Sequence, residues 1–128
     1  MNRRILIDTC GVVKWADGSM PASAQEILLS AERRYVSVIS AWEIQLKPEL
    51  RCRISPADFG TLVDAMHLDV VPLQLNYIRA LAALHDVPNL PHKDPFDHIL
   101  IAQAALMDWS ILTCDERFKA YPKIEVLW

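Results

Sequence analysis

Short runs of apolar, β-favouring residues alternate along the chain with stretches whose apolar positions recur every three or four residues. Five runs predict strands: Arg4–Ile7, Tyr35–Ile39, Leu68–Pro72, Ser110–Thr113 and Ile124–Leu127. Between them, Ala24, Ile27, Leu28 and Ala31 mark the inner face of one helix. Phe59, Leu62, Val63 and Met66 mark another, entered through Ser55 as N-cap and Pro56 in the first turn. A third helix is expected from Leu75 to about His85, and Asp86–Lys93, with Pro88 and Pro91, reads as a loop. Asp94 and Pro95 then open the most apolar helix, containing Phe96, Ile99, Leu100, Ala102 and Leu106, which predicts a buried element. Such alternation is the signature of an α/β fold with a mostly parallel five-stranded sheet flanked by helices.

Composition narrows the function more than the fold. At 128 residues the chain is expected to be one domain over 1–128, and a 52% hydrophobic content can supply its core. Three scattered glycines, Gly11, Gly18 and Gly60, leave no Gly-rich loop to cradle a nucleotide phosphate. No apolar stretch approaches the roughly 18 residues of a membrane span, and Asp8 cuts short the apolar run Ile5-Leu6-Ile7 behind Arg3 and Arg4, so no membrane partner or export signal is expected. Cys10, Cys52 and Cys114 are odd in number and far apart, which suits reduced thiols in a cytoplasmic protein. His67, His85, His92 and His98 show no metal-ligand spacing, and no Gly-x-Ser-x-Gly elbow is present. Trp15, Trp42, Trp109 and Trp128 are expected in the core or at an interface rather than as base-stacking platforms.

The acidic residues carry the candidate chemistry. Asp8 ends the first strand, at the carboxyl edge where open α/β sheets build their sites, though an Asp there also caps the following helix. Ser40-Ala41-Trp42-Glu43 fits a capping box, which would place Glu43 at the top of the second strand as well. In the run Asp94-Pro95-Phe96-Asp97, Asp94 reads as the N-cap and Asp97 lies in the first helical turn. Asp115 terminates a strand as Asp8 does, with Glu116 beside it as a spare candidate. In a parallel sheet Asp8, Glu43, Asp97 and Asp115 converge, and a crowd of carboxylates requires a cation. All-oxygen ligands select Mg²⁺ or Mn²⁺, ions suited to phosphodiester hydrolysis.

The formal net charge of −3 argues against bulk electrostatic binding of nucleic acid. With the four site acids set aside, however, the remaining acidic residues fall one short of the 13 Lys and Arg. Lys47, Arg51 and Arg53, with Lys14 and Lys93, are then candidates for backbone contacts, or simply solvated surface charge.

With these residues placed, the sequence resembles PIN-domain nucleases of the VapC type, the toxin half of a toxin–antitoxin pair. The matching stretches span the chain: Ile7-Asp8-Thr9, Ser37 to Ile44, His92 to Ala104 and Thr113 to Phe118, with Asp94-Pro95-Phe96-Asp97 the most specific. The resemblance implies a Mg²⁺-dependent endoribonuclease with Asp8, Glu43, Asp97 and Asp115 as metal-binding and catalytic quartet. It implies RNA as substrate, a homodimer, and a small antitoxin whose tail occupies the acidic groove. Either Asp94 or Asp97 is the closer ligand; Asp97 is favoured because it stands just before Ile99-Leu100-Ile101-Ala102, as the family's third acid does. Asp94, Thr9, Thr113 and Glu116 then serve as supporting residues.

Two departures stand out. Relatives often carry His where this chain has Cys10, and Pro48 interrupts a stretch usually helical in the family. Cys10 and Cys114 each lie within two residues of a proposed ligand, so neighbouring strands would bring the thiols together as an oxidation-sensitive pair; the simpler expectation is two small buried side chains. Two other functions compete: a PIN-type nuclease of RNA processing or repair with no toxin role, and a non-catalytic module whose acidic groove binds a basic peptide.

Overall fold

The computed structural model describes residues 3–54, 56–82 and 94–128. Its sheet has five strands, all paired in parallel: β1 (Arg4–Ile7), β2 (Arg33–Ser37), β3 (Asp69–Val71), β4 (Ser110–Leu112) and β5 (Val126–Leu127), in spatial order β3-β2-β1-β4-β5. The helices are α1 (Thr9–Ala16), α2 (Ala22–Leu29), α3 (Val38–Leu46), α4 (Pro48–Arg51), α5 (Pro56–Ala65), α6 (Leu75–Ala80) and α7 (Pro95–Met107), and a 3₁₀ turn covers Glu116–Ala120.

Strand β1 is the axis of the fold. It pairs with β2 on one side and β4 on the other, with Ile7 opposite both Val36 and Leu112. Ile5, Leu6 and Ile7 are all fully buried, as a central strand covered on both faces requires. Side chains alternate across a strand, so Ile5 and Ile7 join one core with Val12, Leu28, Ile44 and Phe59. Leu6 joins the other with Ile39, Leu100, Ile101 and Phe118. Helix α3 reaches both cores, which seats it across the carboxyl edge of the sheet.

The expected strand over Tyr35–Ile39 is shifted: β2 runs Arg33–Ser37, and Val38 and Ile39 already belong to α3. Ser37 is the N-cap, its Oγ accepting from the Ile39 amide at 3.1 Å. The anticipated box at Ser40 and Glu43 is therefore not formed, since both residues lie inside the helix. Two β-branched residues favour a strand locally, but the cap and the burial of Ile39 in the second core decide otherwise. Pro48 does break the helical stretch, ending α3 and opening α4.

Helix α7 begins as expected, with Asp94 as N-cap and Pro95 after it, and its residues Phe96 and Ile99–Ala104 are buried. Leu106 is instead exposed. Ala31 falls just beyond α2, and the described part of the third expected helix is α6 followed by a 3₁₀ turn to residue 82. The Ser55 cap, the end of that helix toward His85 and the loop Asp86–Lys93, including His92, lie outside the described residues. Among the described residues no helix is long and apolar enough to cross a membrane.

Candidate active site

Strand order reverses direction between β1 and β4, the switch point at which open parallel sheets leave a crevice beyond their carboxyl ends. Asp8 follows β1 and Asp115 follows β4, so the two acids flank that crevice. Helix α3 brings Glu43 over it, and the N-terminus of α7 brings Asp94 and Asp97. A cleft of about 220 Å³ results, whose walls include Asp8, Glu43, Asp94, Asp97 and Asp115. The quartet expected from sequence thus shares one cleft, with Asp94 and Glu49 as further carboxylates on its walls. Glu116 does not join them: it is exposed, pairs with Lys119 at 3.7 Å and borders a neighbouring hollow with Cys114 and Trp128.

Each acid is held by local chain geometry. Asp8 caps α1, with Oδ1 accepting from the Gly11 amide at 2.8 Å and Oδ2 from the Thr113 hydroxyl at 2.6 Å. The Cys10 thiol lies 3.3 and 3.4 Å from the same two oxygens. Thr113 Oγ1 also accepts from the Asp115 amide at 2.9 Å, so one hydroxyl ties together the acids on both sides of the switch point. Thr9 donates to Ser40 Oγ at 3.0 Å and fixes the start of α1 against α3. Asp115 caps the 3₁₀ turn and accepts from the Arg117 amide and guanidinium.

Two cations that sequence reasoning did not place here stand among the carboxylates. Lys47 Nζ donates to Glu43 Oε2 and, at 2.8 Å, to Asp94 Oδ2. Its ammonium also lies 5.4 Å from the Phe96 ring centroid. Lys47 was expected in a basic surface group, but Arg53 pairs with Asp17 and Arg51 donates to the Gln45 carbonyl, so that group is dispersed. Arg117 grips Asp115 with Nη2 at 2.8 Å. Its place next to Asp115 was the available signal, since a cation two residues beyond a capping acid is within reach of it.

The electrostatics are those of a site crowded with negative charge. Burial pushes the Asp97 carboxyl up to about 7, reinforced by Asp94, Glu43, Asp8 and Asp115. Burial raises Asp8 to about 6, against the opposing hydrogen bonds from Thr113, Gly11 and Cys10. Burial also disfavours charge on Asp94, but Lys47 and the Phe96 amide outweigh it and hold that carboxyl below the ordinary range. Hydrogen bonds to Asp94 and Glu43 likewise overcome the burial of Lys47 and hold its ammonium charged.

Among the described residues, no three His, Cys, Asp or Glu side chains stand ready-made to hold a metal ion. Lys47 and Arg117 occupy oxygens of Glu43, Asp94 and Asp115 that such a site would use. The chemistry of the donors nevertheless fits a hard divalent cation. The donors are carboxylate oxygens, and Glu43, 5% exposed, keeps Oε1 buried without a hydrogen-bond partner. A buried acceptor of this kind is costly unless something binds it. Of the tryptophans, Trp109 is buried before β4 and stacks on Tyr35, whereas Trp42 remains 56% exposed and packs perpendicular to Phe96.

The sequence matches the PIN domain family over residues 5–124, and the chain belongs to that family. Its fold is shared with several solved structures. One is VapBC2 from Rickettsia felis bound to a DNA fragment from their promoter, at TM-score 0.68 and 12% identity, covering 98% of each chain. VapBC-1 from nontypeable Haemophilus influenzae gives TM-score 0.70 and 11% identity over 96% of each chain. VapBC-5 from Mycobacterium tuberculosis, described as a member of the VapBC family of toxin–antitoxin systems, gives 0.64 and 18% over 97% of each. A search of curated proteins found no match.

Proposed function

We propose that this chain is a Mg²⁺- or Mn²⁺-dependent endoribonuclease and the toxin of a toxin–antitoxin pair, acting in the cytoplasm. The observation that carries the catalytic part is the convergence of Asp8, Glu43, Asp97 and Asp115 on one cleft at the switch point of a PIN-domain sheet. In this reading those four residues hold the divalent cation. Bound there, such an ion would supply Lewis-acid chemistry, activating water and offsetting charge on the phosphate. Thr113 keeps Asp8 and Asp115 in register with one another. Arg117 holds Asp115 through Nε and Nη2 and, with its side chain 57% exposed at the rim, would offer its remaining N–H donors to an arriving phosphate. Asp94 fixes Lys47, and Lys47 in turn fixes Glu43.

The toxin part rests on the likeness of fold to VapBC complexes together with two features of this surface. Lys47 seated between Glu43 and Asp94 is a pattern for how a basic side chain from an antitoxin tail would lodge in the cleft. Beside it, Trp42, Leu73 and Ile78 are exposed and border an entirely apolar hollow with Phe96 and Ile99. Exposed apolar surface of this kind favours a protein partner, the antitoxin or a second copy in a homodimer. The same Lys47 contact also favours a second reading, a non-catalytic module that binds basic peptides.

The purified chain, free of partners, should cleave RNA in Mg²⁺, lose that activity in EDTA, and lose at least about 100-fold as Asp97→Asn. Folding of the variant is checked by circular dichroism. Wild type and variant equally inactive, both folded, and both binding a Lys/Arg-rich peptide would replace the nuclease with the binding module.

A further inference from the structure

Cys10 and Cys114 lie 104 positions apart in sequence, yet their sulfurs are 2.9 Å apart. The reason is the register of the sheet. Ile7 on β1 stands opposite Leu112 on β4, and the Asp8 amide donates to the Leu112 carbonyl, so each cysteine follows its strand end at the same edge. Cys114 is exposed and Cys10 partly so, against the expectation of two buried side chains. Cys52, the third thiol, is exposed elsewhere and contacts the Glu49 carbonyl.

We propose that Cys10 and Cys114 form an oxidative modification site, a dithiol that closes to an intramolecular disulfide beside the acidic cleft when a peroxide reaches it. The exposed Cys114 sulfur takes one oxygen from hydrogen peroxide as the O–O bond breaks, giving a sulfenic acid and one water. The Cys10 sulfur then attacks it, the S–O bond breaks, an S–S bond forms and a second water leaves. Two thiols are oxidised, one peroxide is reduced, and an added dithiol reverses the change. The link joins the chain segment that follows Asp8 to the one that precedes Asp115. It also removes the thiol hydrogen that Cys10 offers to both oxygens of Asp8. Where the cleft binds a divalent cation, a consequence that rests on the function proposed above, loss of this competing donor strengthens the hold on that ion.

The test treats the full chain, carrying Cys52→Ser to prevent cross-links between molecules, with stoichiometric hydrogen peroxide. The expected result is a monomer lighter by two hydrogens, a linked Cys10–Cys114 peptide in a non-reducing digest, and reversal by dithiothreitol. The oxidised form should also melt at a higher temperature, because the bond closes a long loop in the unfolded chain. Cys10→Ser should instead accumulate sulfenic acid at Cys114. Over-oxidised Cys114 with no linked peptide would overturn the proposal whether or not the protein cuts RNA. Calorimetric titration with Mn²⁺ should give a severalfold lower Kd for the oxidised form than for the reduced one. A linked peptide with an unchanged Kd would overturn the effect on the cleft, and a linked peptide with no Mn²⁺ binding in either form would overturn the metal reading instead.

Discussion

Burial and four like-charged neighbours push the Asp97 carboxyl up to about 7, and burial leaves Asp8 at about 6 despite three hydrogen-bond donors. Both values lie above the ~3.9 of an unfolded aspartate, so the native state holds extra protons between those limits. Their contribution to stability is present below about pH 4 and is lost as pH rises through 6 and 7. Asp94, held low by Lys47, acts in the opposite sense, but only below that window. Asp97→Asn should therefore raise Tm at pH 8 in EDTA by about 2–4 °C and by less at pH 5. Thermal melts at the two pH values check this, and a uniform drop would contradict it. Thr113→Val removes the donor to Asp8 and the acceptor for the Asp115 amide, and should cost about 1–3 kcal/mol in urea unfolding. At this scale Asp8, Asp97 and Asp115 were legible because strand ends and helix caps are local signals. Lys47 was missed although Glu43 stands four residues before it, a spacing that announces an ion pair; its second partner, Asp94, lies 47 positions away, and nothing local announces that meeting.

The helices show where local patterning and tertiary packing disagree. Ser40 and Glu43 satisfy the spacing of a capping box, yet Ser37 takes that role and Glu43 moves a turn deeper, over the cleft. The capping-box reading thus placed Glu43 at the cleft through the wrong cap, since Val38 and Ile39 are as compatible with a strand as with a first helical turn. Ser37→Ala should cost about 1 kcal/mol through the lost cap, measurable by denaturant titration. Two helical glycines make a sharper test. A Cβ on Gly11 would come 2.7 Å from Ile7 Cγ1 and 3.2 Å from Asp8 Oδ1, and Ile7 is fully buried with no room to yield. A Cβ on Gly60 meets nothing within 4 Å. Gly60→Ala should stabilise by about 0.5–1 kcal/mol, as helix propensity dictates. Gly11→Ala should destabilise by about 1–3 kcal/mol through overpacking and displace Asp8 as well. Both substitutions stabilising would show that the Ile7–Asp8 turn yields to an added methyl and is not tightly packed.

Across the whole molecule, the parallel sheet does what no single residue can: it turns acids 107 positions apart, Asp8 and Asp115, into neighbours of one hydroxyl. The sheet class and its five strands were legible because a buried parallel strand such as Ile5-Leu6-Ile7 is apolar on both faces. The strand order was not, because pairing of β1 with β2 and β4 is decided by packing of the two cores rather than by any local sequence signal. In the function proposed above, this topology gathers carboxylates that hold a divalent cation. Calorimetric titration of Mn²⁺ into the reduced, partner-free chain at pH 8 tests it most directly, beside Asp97→Asn under the same conditions. Saturable binding by the wild type is expected, with an affinity at least about tenfold weaker in the variant. Equal affinity in the two, or no binding by a folded wild type, would contradict it.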